Sequence, residues 1–175
     1  MTSMEIIDII SEHKERVNYV CLLWSIWYTN LDYIRKYDEF LIEDEFRYHL
    51  FGPTTKYVYD NCYVPYKRLY CDGSGHISNK YFYGTFENKI HEVQLDKIKD
   101  ISFFESLFGL FKQRKKNNDD TFYVDRLLQY LSLSQKEIID RVFSETESLW
   151  YKWYYGERLV IPKEYITEEA IKYGH

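Results

Sequence analysis

The sequence contains few of the residues that interrupt regular structure. Only 3 Pro and 7 Gly occur among 175 residues, which argues against a loop-rich or disordered chain. The number of Cys residues, 3, is odd. No apolar run approaches the roughly 18 residues that a membrane span needs. Since the N-terminus also shows no signal peptide, the sequence predicts a soluble cytoplasmic protein with reduced thiols.

Aromatic residues are abundant, with 19 Tyr and 11 Phe, and the net charge is −5. Residues 51–116 nevertheless form a basic island between two acidic segments. A generic nucleic-acid binder usually shows a larger basic excess. Nucleic-acid binding by this middle segment, through Lys67, Arg68 and residues 114–116, is therefore kept as an alternative that the sequence does not favour.

One stretch near the N-terminus organises the chain. Its apolar residues recur at the spacing of one helical face: Val17, Val20, Cys21, Trp24, Trp27, Tyr28 and Leu31. Leu22, Leu23 and Ile26 lie off that stripe. The pattern predicts a helix that is apolar nearly all round and is surrounded by the other helices.

Capping signals predict several further helices. Ser3 is the expected N-cap of a first helix, which either continues into the central helix or breaks near Ser11. A short helix is expected after Thr54 and Thr55, and a capping box at residues 134–137 opens another. Thr167 is the expected cap of the last helix. The predicted fold class is α+β and mostly helical, a compact bundle around the central apolar helix.

The helical period disappears between residues 61 and 88, where turn residues accumulate. Two β-rich pieces, 63–70 and 77–86, flank a turn at 72–75. We therefore expect one domain over residues 1–175 that carries a small β-hairpin insertion at 61–88.

Two blocks of the chain, 20–59 and about 131–171, resemble the Panacea domain, the SocA-like antitoxin domain common in phage-associated proteins. The resemblance follows an aliphatic-aromatic helix, an acidic turn at 41–45 and an aromatic-Gly-Pro motif. His49 replaces the family's Trp, and residues 54–56 replace its Val-x-Pro. The positions that carry the family pattern, which shape the fold, are Trp24, Gly52, Pro53, Tyr59 and Trp153.

Panacea-like proteins are mostly antitoxins that neutralise a toxin by direct protein contact. The resemblance therefore implies a non-enzymatic, protein-binding inhibitor whose partner is a toxin. A phage-encoded inhibitor of a bacterial defence nuclease, of the anti-CRISPR type, is the alternative with a similar mechanism and a different partner.

Two surfaces are candidates for partner binding. The first is the acidic turn with Glu43, Asp44 and Glu45, which is either an ordinary solvated turn or a lip that faces a basic partner. Reversing these three carboxylates to Lys is expected to leave folding intact and to abolish inhibition. The second is the predicted hairpin, whose aromatic and basic residues are typical interface anchors: Tyr66, Arg68, Tyr81 and Tyr83.

Motifs that would indicate catalysis or a cofactor are not found. The sequence has no P-loop, dinucleotide fingerprint or His-Glu-x-x-His. The spacing of Cys62, Cys71, His76 and His91 matches no closed zinc pattern. We therefore expect no catalytic residue, no metal and no cofactor.

Overall fold

A central helix organises the part of the chain that the computed structural model describes, residues 1–49, 51–63, 92–94, 121–144 and 159–172. This part is mostly helical with short antiparallel strand pairs, which confirms the predicted α+β class. Its helices are α1 Ser3–His13, α2 Tyr19–Tyr37, α3 Lys56–Val58, a π-helix Tyr59–Tyr63, α4 Thr121–Leu131, α5 Gln135–Ser144 and α6 Lys163–Lys172. Its strands are β1 Arg16–Asn18, β2 Phe46–Arg47, β3 Thr54–Thr55 and β4 Glu92–Gln94.

Helix α1 begins one residue earlier than its predicted cap implies. Thr2 is the N-cap, and its side chain and that of Glu5 form a capping box. Ser3, the predicted cap, is the first helical residue and is buried. The helix buries Ile6, Ile7 and Ile10 against the core and ends at His13, so the chain breaks before the central helix.

Strand β1 separates the first two helices. It pairs antiparallel with β4, with Val17 opposite Val93. Val17, predicted to start the central helix, therefore belongs to a strand. Helix α2 begins at Tyr19 because the Asn18 side chain accepts hydrogen bonds from the Val20 and Cys21 amides.

The central helix α2 is buried along nearly its whole length. Every residue from 19 to 32 is buried, and the helix packs against α4, α5 and α6. Leu22 and Leu23, which lie outside the predicted apolar face, are as buried as the residues on that face. This confirms the prediction of a helix surrounded by others. Asp38, in the left-handed region with φ of 55°, ends it.

A small sheet lies after the acidic turn. β2 and β3 pair antiparallel, with Arg47 opposite Thr54. Residues 159–161 add to the other side of β2, where the Tyr48 amide donates to the Leu159 carbonyl and the Ile161 amide donates to the Phe46 carbonyl, each at 2.8 Å. Segments that are more than 100 residues apart in the sequence, β3 and residues 159–161, therefore flank Arg47.

Two of the remaining helices begin at the predicted caps, and one does not. The Thr55 side chain caps α3, and Ser134 with Glu137 forms the capping box of α5, both as predicted. Helix α6 begins at Lys163, directly after Pro162, so the prediction that Thr167 caps it is wrong. Thr167 is inside the helix and its hydroxyl donates to the Lys163 carbonyl.

The predicted β-hairpin insertion lies mostly outside the described residues. Within them, Asn61, Cys62 and Tyr63 belong to the π-helix. Tyr63 is therefore helical, although the sequence predicted it to start a strand.

Candidate functional site

The aromatic-Gly-Pro motif contacts the central helix. Trp24 Nε1 donates a 3.0 Å hydrogen bond to the Phe51 carbonyl. Gly52 has a φ of +141°, and a Cβ built on it would lie 2.8 Å from Trp24 Nε1. Pro53 is buried beside it. These motif residues are therefore structural, because they fix how the chain leaves β2 and enters β3.

His49 lies within a cluster of aromatic rings. Its ring is 4.7 Å from that of Tyr63 and 5.3 Å from that of Tyr59, measured between centroids. Tyr19 packs against both His49 and Tyr63, and burial raises the pKa of its hydroxyl well above the usual value. His49 is itself buried, and its Nδ1 accepts the Phe51 amide. Tyr59 thus joins the core through ring packing.

The acidic turn is held by the first two helices. The Asn30 side chain accepts the Ile42 amide, and Ile42 is buried. Asp44 Oδ2 accepts the Ser3 amide at 2.7 Å, at the first residue of α1. Asp44 therefore has a structural role that the sequence did not indicate, and reversal of all three carboxylates would not leave folding unchanged.

The other two carboxylates of the turn reach solvent. The Glu43 side chain is 57% exposed and accepts a 2.7 Å hydrogen bond from the Met1 amino group. The Glu45 side chain is 64% exposed and lies 3.3 Å from Arg47 Nη2. Glu45 is consequently the residue at which the turn can be tested for partner binding without loss of a buried contact.

A charged groove of about 430 Å³ opens between the acidic turn and the helices that follow β3. We call it the charged groove, and its lining residues are Asp44, Glu45, Arg47, Lys56, Tyr57, Asp60 and Asn61. Lys56 and Asp60 form an ion pair across one turn. Arg47 Nε is buried and has no hydrogen-bond partner among the described residues, so this donor of the Arg47 side chain is unmatched.

The π-helix supplies two residues of the charged groove. Asp60 and Asn61 come from it, and Lys56 and Tyr57 precede it in α3. Single-turn π-helices are frequent at functional sites, because the wider turn re-aims side chains. Of the residues predicted to bind a partner, the structure places Asp44 and Glu45 here. Sequence reasoning missed the groove's other residues, since nothing local to them indicates that they meet.

A second polar cluster was also missed, and it surrounds a buried carboxylate on α2. Asp32 pairs with Arg35, lies 3.6 Å from Arg126 Nε and accepts a 2.8 Å hydrogen bond from the Tyr130 hydroxyl. Burial and that hydrogen bond raise the pKa of Tyr130 to about 12. Arg126 and Tyr130 on α4 thus contact Asp32 on α2, so the cluster joins the two helices and pairs the buried carboxylate.

The described thiols have no reactive character. Burial raises the pKa of Cys21 to about 11 and that of Cys62 to about 12, so both are protonated at neutral pH. Among the described residues no group of three His, Cys, Asp or Glu could hold a metal ion. Cys71, His76 and His91 lie outside the described residues.

Comparison with known proteins was made at the level of family, sequence and structure. No family model, curated protein or solved structure matches this chain. The functional assignment therefore depends on the geometry of the charged groove and on the residues of the sequence. In the described part of the chain, none of the helices has both the length and the hydropathy of a membrane span.

Five of the residues selected from the sequence lie outside the described residues. They are the hairpin candidates and the C-terminal Trp of the family pattern: Tyr66, Arg68, Tyr81, Tyr83 and Trp153. The basic residues of the nucleic-acid alternative, Lys67, Arg68 and 114–116, lie there too. The charged groove is thus the candidate site whose geometry can be described.

Proposed function

We propose that this protein is a non-enzymatic inhibitor that neutralises a toxin by direct protein contact, using the acidic side of the charged groove. The resemblance of residues 20–59 to antitoxin domains supplies the class of partner. The observation that carries the proposal is the position of Glu45, an exposed carboxylate on a turn fixed by hydrogen bonds to two helices.

Preorganisation is the physical reason why such a turn suits protein binding. Ordering a loop on association costs free energy, and a turn held in the free protein has already met that cost. Asn30 and Ser3 hold the turn on either side of Glu43. The carboxylates are therefore presented in one geometry before a partner arrives.

The charges of the groove indicate a basic partner surface. Three carboxylates, those of Asp44, Glu45 and Asp60, face the two cations of Arg47 and Lys56. Exposed Glu43 lies next to Asp44 in the turn, and its charge is paired with the amino group of Met1. A nucleic-acid-binding groove on a toxin presents the complementary charge, so these carboxylates would compete with phosphates for it.

Affinity purification from the host bacterium at moderate salt tests this proposal. The tagged wild-type protein is expected to retain one stoichiometric protein with a basic surface and, after purification, to inhibit its activity. Glu45→Lys is expected to weaken binding by about tenfold or more, because it places a like charge against the partner. Glu12→Lys makes the same charge change at an exposed position of α1, at the end of the helix opposite to Ser3 and the acidic turn. This variant should bind as the wild type does.

The outcomes separate the proposal from its competitors. Capture of a defence nuclease in place of a toxin would move the protein to the alternative partner class. Retention of nucleic acid alone, with a steep loss at higher salt, would favour the basic middle segment. Equal binding by the Glu45→Lys and Glu12→Lys variants would remove the acidic side of the groove from the binding surface.

A further inference from the structure

The segment 159–161 forms an edge of the small sheet. Its bonds to β2 are made by the residues on either side of Val160, with the Leu159 carbonyl accepting from Tyr48 and the Ile161 amide donating to Phe46. Val160 is directly opposite Arg47 in this pairing. The backbone N–H and C=O of Val160 therefore make no hydrogen bond to β2.

The geometry of an antiparallel pair fixes where those groups point. In a non-hydrogen-bonded pair the N–H and C=O of each residue are directed away from the partner strand. The backbone N–H and C=O of Arg47 face β3, whereas the backbone N–H and C=O of Val160 face outward from the sheet. No described residue makes a backbone hydrogen bond to Val160, so one donor and one acceptor are presented at the edge.

Side-chain exposure is unusual at the same place. Val160 is 43% exposed, whereas Phe46 and Ile161, whose side chains point to the opposite face, are buried. Leu159, at the start of the segment, is 52% exposed. Natural proteins commonly protect a sheet edge with charged side chains. Here an aliphatic residue stands at the edge position itself, where it offers apolar contact to an incoming segment.

We propose that the Val160 edge binds an extended segment of a partner protein by strand addition, with an aliphatic side chain over Val160 and a Lys or Arg directed to Glu45. The inference rests on the proposed function in that the segment belongs to the inhibited protein. Main-chain pairing supplies affinity in this mode, and side chains at alternate positions supply specificity.

Charge complementarity is the reason for a basic segment as the occupant. Glu45 directly precedes β2, and its carboxylate lies 3.3 Å from Nη2 of Arg47, the residue opposite Val160. An added strand would lie about 10 Å from β2, two strand spacings away, which a Lys or Arg side chain and Glu45 can bridge together. A second copy of this chain would instead bring its own acidic turn to the same place.

The length of the edge limits the added strand to a short one. Pro162 follows Ile161, has no N–H, and uses its carbonyl to accept from Tyr165 and Ile166 in the first turn of α6. Val160 thus offers one hydrogen-bonded pair. The contacts of Leu159, Val160 and Glu45 must supply the remaining affinity.

Peptides displayed on phage provide a probe that does not require the partner. A library of random peptides of about 12 residues, long enough for a strand and its flanks, is selected on the wild-type protein. We expect enrichment of peptides that alternate aliphatic and Lys or Arg residues. In their presence the Val160 amide should exchange slowly with solvent, whereas the Tyr48 and Ile161 amides should be protected already in the free protein.

A pair of variants isolates the backbone contribution. Val160→Pro removes the outward N–H and leaves both bonds to β2, so peptide affinity should fall by about tenfold or more. Val160→Thr keeps the amide and a β-branched side chain, and it should bind within about threefold of the wild type. If the Pro variant proves misfolded by circular dichroism, amide exchange at Val160 in the wild-type complex decides the question.

Each outcome has a defined meaning. No enrichment, equal peptide affinity of the Pro variant, protection confined to other amides, or self-association that depends on Val160 would overturn strand addition. A toxin that binds the Val160→Pro variant normally but the Glu45→Lys variant poorly would overturn strand addition and leave the proposed function standing. Peptides that bind at Val160 while no toxin is captured would support strand addition and count against the proposed function.

Discussion

Trp24 and Gly52 approach each other so closely that no side chain fits between them. The Trp24 indole occupies the space that a Cβ at position 52 would need, and its Nε1 is hydrogen-bonded to the preceding carbonyl. The positive φ of Gly52 adds a conformational requirement to this steric one. Two independent constraints therefore act on a single residue.

Replacing Gly52 by Ala is expected to destabilise the protein by about 2–4 kcal/mol, from backbone strain and from overpacking against Trp24. Denaturant unfolding of Gly52→Ala, Trp24→Phe and the double variant measures both parts. The smaller Phe ring makes room for the new methyl group, so the double variant should be more stable than the sum of the single effects implies. Strict additivity would contradict the contact.

Burial of Tyr130, together with its hydrogen bond to Asp32, makes the stability of the protein depend on pH in the alkaline range. The pKa of Tyr130 is about 12 in the folded protein against its ordinary 10.0. Between these values the unfolded chain loses the proton and the folded chain keeps it, so this contribution is complete below pH 10 and is lost as pH rises towards 12.

Tyr130→Phe should therefore cost about 1–3 kcal/mol at pH 7, because Asp32 loses a donor. It should also reduce the fall in stability between pH 9 and about 11.5 relative to the wild type. Urea unfolding at the two pH values gives both quantities. An unchanged pH dependence would show that Tyr130 titrates normally.

At the level of elements, the helices whose starts carry a side-chain cap were the easiest to predict. The Ser134 and Glu137 capping box and the Thr55 cap were both found from spacing. The prediction of Ser3 as the cap of α1 was wrong by one residue, because Glu5, three residues after Thr2, completes a capping box with Thr2. The sequence predicted Thr167 as the cap of α6, whereas the helix begins directly after Pro162, and Pro favours a helix start.

The acidic turn is an element whose residues differ in what they do. Asp44→Ala should destabilise the protein by about 1 kcal/mol, because the Ser3 amide loses its acceptor at the start of α1. Glu45→Ala, on exposed surface, should stay within about 0.5 kcal/mol of the wild type. Thermal unfolding of both variants checks this. Equal effects would show that the Asp44 contact contributes nothing to stability.

At the level of the whole molecule, the centre could be predicted and the site could not. The helical period alone identified α2 as the core, because the apolar residues that surround this helix on all sides lie in one continuous stretch of sequence. The charged groove depends on Arg47 meeting β3 and residues 159–161, and on α3 lying beside the acidic turn. Such long-range pairings leave no local pattern.

Two long-range contacts also show where residues 64–91 attach. The Tyr63 ring stacks on Tyr19, and Glu92 is opposite Asn18 in the β1–β4 pair. Tyr63 and Glu92, which precede and follow this segment, therefore contact two consecutive residues, Tyr19 and Asn18. Replacing 66–89 with a short Gly-Ser linker should preserve helical circular dichroism and cooperative unfolding, since loop-closure entropy varies slowly with length. Loss of cooperative unfolding would show that the core needs this segment.

The same attachment has a consequence for how the protein can diversify. A segment whose two ends are anchored side by side can change in length and sequence without moving the elements that hold it. Homologous chains that differ in length or sequence between residues 63 and 92 are therefore expected to keep α2 and the sheet unchanged. In evolutionary terms, residues 64–91 would then vary independently of α2 and the sheet.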